Sequence, residues 1–187
     1  MNTSEQFDHI VSICRDIYKK KLKDYDAAWR ILRTSSLTDQ VFIKANRIRS
    51  FEVKGVQKIE ESTFSEYIGI INYCAIALIQ IELGIADKID IRAEKATSLY
   101  EKYIAKAKQL MEQKNHDYNE AWRQMRISSY TDLILMKLLR IKQIEDNKGK
   151  TIISEGIDAG YFDIINYSAF ALIRMEFDEK SNKPTKL

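Results

Sequence analysis

The sequence predicts an all-α protein in which two homologous helical units from a tandem repeat pack as a pseudo-dimeric bundle. Three observations lead there. Among 187 residues there are one proline, Pro184, and six glycines, against 45% hydrophobic and 30% charged residues, a balance unlike turn-rich β architectures, collagen or disordered chains. The apolar residues recur at helical period. The chain is also written twice, and internal repetition decides architecture before anything else does.

Lys21-x-x-Asp24-Tyr25-x-x-Ala28-Trp29-Arg30-x-x-Arg33-x-Ser35-Ser36-x-Thr38-Asp39 returns as Lys114-x-x-Asp117-Tyr118-x-x-Ala121-Trp122-Arg123-x-x-Arg126-x-Ser128-Ser129-x-Thr131-Asp132, 93 residues on. The register holds through Lys44, Arg47, Ile48 and Glu52, paired with Lys137, Arg140, Ile141 and Glu145. One extra residue near Lys148 moves the offset to 94, after which Tyr67, Ile70-Ile71-Asn72-Tyr73 and Ala77-Leu78-Ile79 match Tyr161, Ile164-Ile165-Asn166-Tyr167 and Ala171-Leu172-Ile173.

Each copy reads as the same run of helices. The first, near 5–21 and 92–114, is amphipathic; a short second one, near 26–33 and 119–126, carries the Tyr and Trp. Ser36-x-x-Asp39 and Ser129-x-x-Asp132 read as helix N-caps with an acidic residue in the first turn. A third helix follows, to about Lys54 and Asn147, and Gly55 and Gly149 break it. The fourth, near 62–83 and 157–177, is almost wholly apolar. These elements define a first repeat at 5–84, a linker at 85–91, a second repeat at 92–178, and a polar segment at 179–187 read as a disordered tail.

The third helix carries charges on the wrong side. Ile134, Leu138, Ile141 and Ile144 form its apolar stripe in the second copy, yet Lys137 and Glu145 fall inside that stripe and Arg140 borders it. In the first copy Val41, Ala45, Ile48 and Phe51 surround Lys44 and Glu52, with Arg47 at the margin. On the second copy's fourth helix, Glu155, Asp163 and Asn166 are expected to project within about 100° of one another. A charge taken out of water is costly unless it meets a partner, so these side chains must meet one another or a ligand. Internal salt bridges that fix helix register are one outcome. A site inside the bundle, with carboxylates for a divalent cation and Lys or Arg for phosphates, is the other. Asp163 stands where the first copy has Gly69, and Glu66 stands where the second has Gly160. The two sites have therefore diverged, the second being expected to hold a cation better.

Other residues carry two readings each. Tyr25 and Trp29, with Tyr118 and Trp122, either stack on a base or close the core, the commoner role of helix-borne aromatics. Arg30, Arg33, Arg123 and Arg126 either grip phosphate or pair with Asp24 or Asp117. Lys19-Lys20-Lys21 reads as a solvated run, and Cys14 and Cys74 as small core residues.

Several classes are excluded. A net charge of +3 does not support direct nucleic-acid binding. Two histidines and two cysteines give no zinc or triad constellation. No secretory leader pattern precedes residue 13, so a reduced, cytoplasmic protein is expected. The stretch 68–79 is short for a membrane span, and no membrane partner is expected. Homo-oligomerisation stays open, because a tandem repeat can satisfy a dimer-like interface within one chain.

Lys-x-x-Asp-Tyr, Ala-Trp-Arg, Ser-x-Thr-Asp, Lys-x-x-Arg-Ile and the following Asn-Tyr resemble the nucleotide modification associated domain 1 family, present as a tandem pair over 10–177. The resemblance implies an all-helical domain linked to nucleotide or base modification, with a nucleotide or nucleotide-like small molecule as partner. More distantly, Glu155, Asp163 and Asn166-Tyr167, preceded by Lys137 and Arg140, are similar to the MazG-like all-α nucleotide pyrophosphohydrolases. That similarity implies magnesium or manganese held by helix-borne carboxylates against a nucleoside triphosphate. The Glu-Glu-x-x-Glu helix of that class is missing, since Glu60-Glu61 is followed by Phe64. On this reading Glu155 and Asp163 contact the metal. Lys137 and Arg140 contact phosphate, aided by Arg123 and Arg126, while Asn166 orients the ligand and Tyr118 and Trp122 stack on the base. Lys44, Arg47, Glu61 and Asn72 are the first-copy counterparts. The alternative is a non-catalytic helical scaffold whose buried charges pair internally.

Overall fold

A computed structural model describes residues 1–55 and 62–178. Helix α1, Thr3–Tyr25, opens with a capping box: Asn2 Oδ1 accepts from the Glu5 backbone N–H and Glu5 Oε2 accepts from that of Asn2, both at 2.9 Å. A short 3-10 turn, Ala28–Ile31, leads into α2, Thr34–Lys54. Gly55 ends α2 at φ +67°, a left-handed conformation in which a Cβ would be strained. Ser62 caps α3, Thr63–Leu83, by accepting from the Ser65 N–H at 3.2 Å. The second copy repeats the series as α4, Ala93–Tyr118, the 3-10 turn Ala121–Gln124, α5, Ile127–Asp146, and α6, Ile157–Ile173, which runs into a π-helical turn at Arg174–Asp178.

Local expectations need three corrections. The third helices start three residues earlier than the serine caps imply: Arg33 and Arg126 occupy the N-cap positions, and the backbone N–H groups of Ser36 and Ser129 bond to their carbonyls at 3.0 Å. The Tyr-Trp segments are single 3-10 turns with the tyrosines outside them, at the ends of α1 and α4. Glu155 precedes α6, in the exposed connection from α5, and so does not share a helix face with Asp163 and Asn166. The expected tail and Glu61 lie outside the described residues.

Helices α3 and α6 pack against each other at the centre, each also covered by the third helix of its own copy, and α2 packs on α5. Helices α1 and α4 lie on both central helices and touch each other. By length and apolar composition α3 could cross a membrane, but most of it is buried within this bundle. Its neighbours come from both copies, so neither repeat buries its own central helix alone.

The inter-copy contacts come in equivalent pairs related by the repeat. Arg15–Glu101 at 2.6 Å is matched by Lys108–Asp8 at 2.7 Å, and Lys142–Asp39 at 2.6 Å by Arg49–Asp132 at 3.7 Å. Inside, the Tyr67 hydroxyl meets Thr131 Oγ1 at 2.7 Å and Thr131 donates to Glu52 at 2.8 Å; Tyr161, Thr38 and Glu145 do the same at 2.6 and 2.9 Å. Thus the acidic residue in each α2 or α5 stripe is answered by a threonine of the other copy. Burial raises the pKa of both carboxyls, against the opposing effect of the threonine bonds.

Candidate functional site

The inward lysines reach carboxylates through different positions in the two copies. In the first, Glu66 is 2% exposed and takes Lys44 Nζ at 3.1 Å and Arg47 Nη1 at 2.6 Å. In the second, Asp163 takes Lys137 Nζ at 2.6 Å and Lys114 Nζ at 2.7 Å. Burial pushes Asp163 towards protonation, but the two ammonium groups outweigh it and leave its carboxyl below the usual range. Sterics go with the exchange. A Cβ at Gly69 would lie 2.8 Å from Lys44 Cε, and one at Gly160 would lie 2.9 Å from Ile141 Cδ1, so each glycine admits a side chain that its counterpart position does not need to admit.

Moving the carboxylate by one helical turn alters a second lysine. Lys114 is spent on Asp163, whereas its first-copy counterpart Lys21 has no carboxylate partner among the described residues. Lys21 lines a cavity of about 510 Å³ between α1, the first 3-10 turn and α3, a size suited to a small ligand. Tyr25, Trp29, Tyr73 and Ile76 supply its apolar and aromatic wall, and Lys44, Glu66 and Asn72 its polar groups. Burial, with Tyr73 and Asp24 nearby, raises the Tyr25 phenol pKa, so the group stays protonated.

In the second copy the repeated tryptophan packs against different neighbours. Phe170, the counterpart of Ile76, stacks on Trp122 with centroids 4.2 Å apart and planes 10° apart, and the Arg123 guanidinium sits 4.3 Å from the Trp122 centroid. Asn115 Oδ1 accepts from Trp122 Nε1 at 2.9 Å. Leu22 replaces that amide in the first copy, which accounts for the buried Trp29 Nε1 that has no hydrogen-bond partner among the described residues.

These positions revise the expected site. Trp122 is packed by Phe170 and Arg123 rather than offered to a base, and Tyr118 is 70% exposed. Arg123 binds Glu120, Thr3 and Gln6 and is a structural tie to α1, as its counterpart Arg30 ties the linker through Asp90. Arg126 is exposed beside the start of α5, where its backbone serves as N-cap. Asn166 and Asn72 hold helices together, donating to the Ala107 and Cys14 carbonyls at 3.1 Å each. Lys137, Arg140 and Glu155 do line one open crevice of about 610 Å³ under the α5–α6 connection, but Arg140 and Glu155 face solvent.

The described residues do not fit a divalent cation. Both Asp163 oxygens face ammonium groups, Glu155 lies out in the connection, and no three His, Cys, Asp or Glu side chains converge among the described residues. Lys21, read as solvated, is exposed and also lines the cavity, as does Tyr73, to which the sequence reading gave no role; their signal was repetition in both copies, as Lys114 and Tyr167.

Fold and cavity together define a duplicated all-α domain whose first copy holds an aromatic, lysine-bearing cavity. The chain belongs to the nucleotide modification associated domain 1 family, whose sequence profile matches residues 21–81 and 114–175, most of each copy. No curated protein and no solved structure matches it.

Proposed function

We propose that the protein binds a nucleotide in the first-copy cavity, in keeping with a family linked to nucleotide modification. The observation that carries this reading is the juxtaposition in one cavity of Tyr25, Trp29 and Tyr73 with Lys21, whose ammonium meets no carboxylate among the described residues. Aromatic faces suit a base, and an ammonium suits a phosphate. Lys44 would contribute less charge, since Glu66 already neutralises it. Hydrolysis of the pyrophosphohydrolase type gains no support from the carboxylates described, so binding is the function proposed.

A scaffold is the second reading, favoured by the pairing of Glu66 and Asp163 with lysines and arginine inside the bundle. One experiment separates the two. The protein is titrated with nucleoside mono-, di- and triphosphates, with and without magnesium or manganese, while thermal stability and pyrophosphate release are followed. Binding predicts stabilisation by about 2.7 kcal/mol at a hundredfold excess over Kd. Lys21→Ala should weaken it roughly tenfold, about 1.4 kcal/mol. Absence of stabilisation by every nucleotide leaves the scaffold.

A further inference from the structure

From the outer seam between α2 and α5 we infer that the chain self-associates, two copies meeting face to face on that seam as a symmetric dimer. The seam lies apart from the cavity, and the inference does not depend on what the cavity holds. Lys142 Nζ lies 4.1 Å from the Phe42 ring centroid, which sets Phe42 against the side of α5 that carries Leu135, Leu139 and Lys142 at helical spacing. Ile43 and Met136, equivalent residues of the two copies, flank this line on the solvent side. Ile43 and Leu139 are each 57% exposed and Met136 37%, so the centre of the seam is an apolar patch in water. The repeat shows that packing does not demand such a side chain at 139, because the first copy has Asn46 there.

An ion pair closes each end of the patch, Asp39 with Lys142 at 2.6 Å and Arg49 with Asp132 at 3.7 Å. These pairings run in opposite directions along the two helices, so α2 and α5 are antiparallel and the four charges alternate in sign around the seam: Asp39, Lys142, Asp132, Arg49. Such a pattern is its own complement. A second copy turned over about a twofold axis along the seam, or across it, sets every acid over a base, whereas one crossed at right angles sets like over like. The other charges of the two helices lie off the patch. Lys44, Arg47, Lys137, Glu52 and Glu145 reach inward, Arg140 lines the crevice under the α5–α6 connection, and Lys54 and Asp146 stand at the helix ends. An apolar centre with a polar rim is the anatomy of an interface, and a rim that matches itself points to a second copy as the occupant. The rim pairs are already satisfied within each chain and the patch is small, so the dimer is reversible, with micromolar affinity.

Sedimentation velocity of the full chain, without nucleotide, is run from about 1 to about 200 µM, a range that brackets micromolar affinity. The expected result is a mass that rises with concentration towards twice that of one chain. Leu139→Lys puts an ammonium from each copy into the patch and should weaken association by roughly tenfold or more. Leu139→Asn, which installs the first copy's residue, should weaken it by a smaller factor. Arg49→Asp sets acid over acid in either alignment and should weaken it roughly tenfold, a difference that high salt narrows. Ile153→Lys, at an exposed apolar residue away from the seam, should leave association within about threefold of wild type. Should Leu139→Lys fail to melt cooperatively, Leu139→Asn and Arg49→Asp decide. A single-chain mass at every concentration, wild-type association in both Leu139→Asn and Arg49→Asp, or loss of association in Ile153→Lys would each overturn the inference.

Discussion

Tyr100→Phe should destabilise the protein by about 1–3 kcal/mol, the cost of leaving a buried polar atom without its partner. The Tyr100 hydroxyl donates to Asn72 Oδ1 at 2.8 Å, while Asn72 Nδ2 donates to the Cys14 carbonyl, so this buried amide uses both ends. Its counterpart Asn166 keeps the equivalent donation, to Ala107, but its buried Oδ1 has no partner among the described residues. The repeat explains why: the residue corresponding to Tyr100 is Phe7. The first copy's asparagine is therefore satisfied by a hydroxyl from α4, and α1 has none to return. Phe7→Tyr should supply it and stabilise by about 0.5–1.5 kcal/mol, reduced by any strain of adding an atom to a fully buried site. For a chain of this length each kcal/mol moves Tm by about 2–4 °C, so thermal and urea melts of the two variants resolve both effects. Tyr100→Phe within about 0.5 kcal/mol of wild type, or Phe7→Tyr destabilising by more than about 1 kcal/mol, would refute the argument that the orphan amide oxygen marks a missing hydroxyl.

Two pH experiments probe the inward charges. Asp163 has a depressed folded-state pKa, so its ion pairs stabilise above the unfolded value near 3.8 and the contribution is lost as pH falls through the folded value. Asp163→Asn should thus lower stability at pH 7 by about 1–3 kcal/mol, with the gap to wild type closing in acid melts; a gap independent of pH would contradict the pairing. Glu52 and Glu145 have raised pKa values, so their ionised forms oppose folding at neutral pH and the penalty disappears as pH falls through the folded value towards 4.5. Glu145→Gln, which keeps an acceptor for Thr38, should raise Tm at pH 7.5 and lose that advantage near pH 4.5; a lower Tm at pH 7.5 would reverse the assignment.

Helices, their order and their duplication were legible because they depend on local pattern: spacing of apolar residues, scarcity of proline, and recurrence of a motif at a fixed offset. The inward charges were legible too, since Lys44, Lys137, Glu52 and Glu145 interrupt stripes that are otherwise apolar. Their partners were not, because Glu52 meets Thr131 of the other copy and Lys114 meets Asp163 on α6, far along the chain. The exchange of Glu66 and Asp163 was visible as well, but its sense was misjudged: a carboxylate looked like a cation ligand and serves as a counter-ion for two lysines.

By itself, then, the sequence determined that this protein is a repeated helical unit with charges embedded in its packing faces. Only the tertiary structure chose how each copy packs around its tryptophan. That choice depends on side chains from separate helices, Phe170 against Trp122 and Asn115 on its indole, with Ile76 and Leu22 in their places in the first copy. Empty space is a property of how helices meet in three dimensions, and no spacing along one of them encodes it.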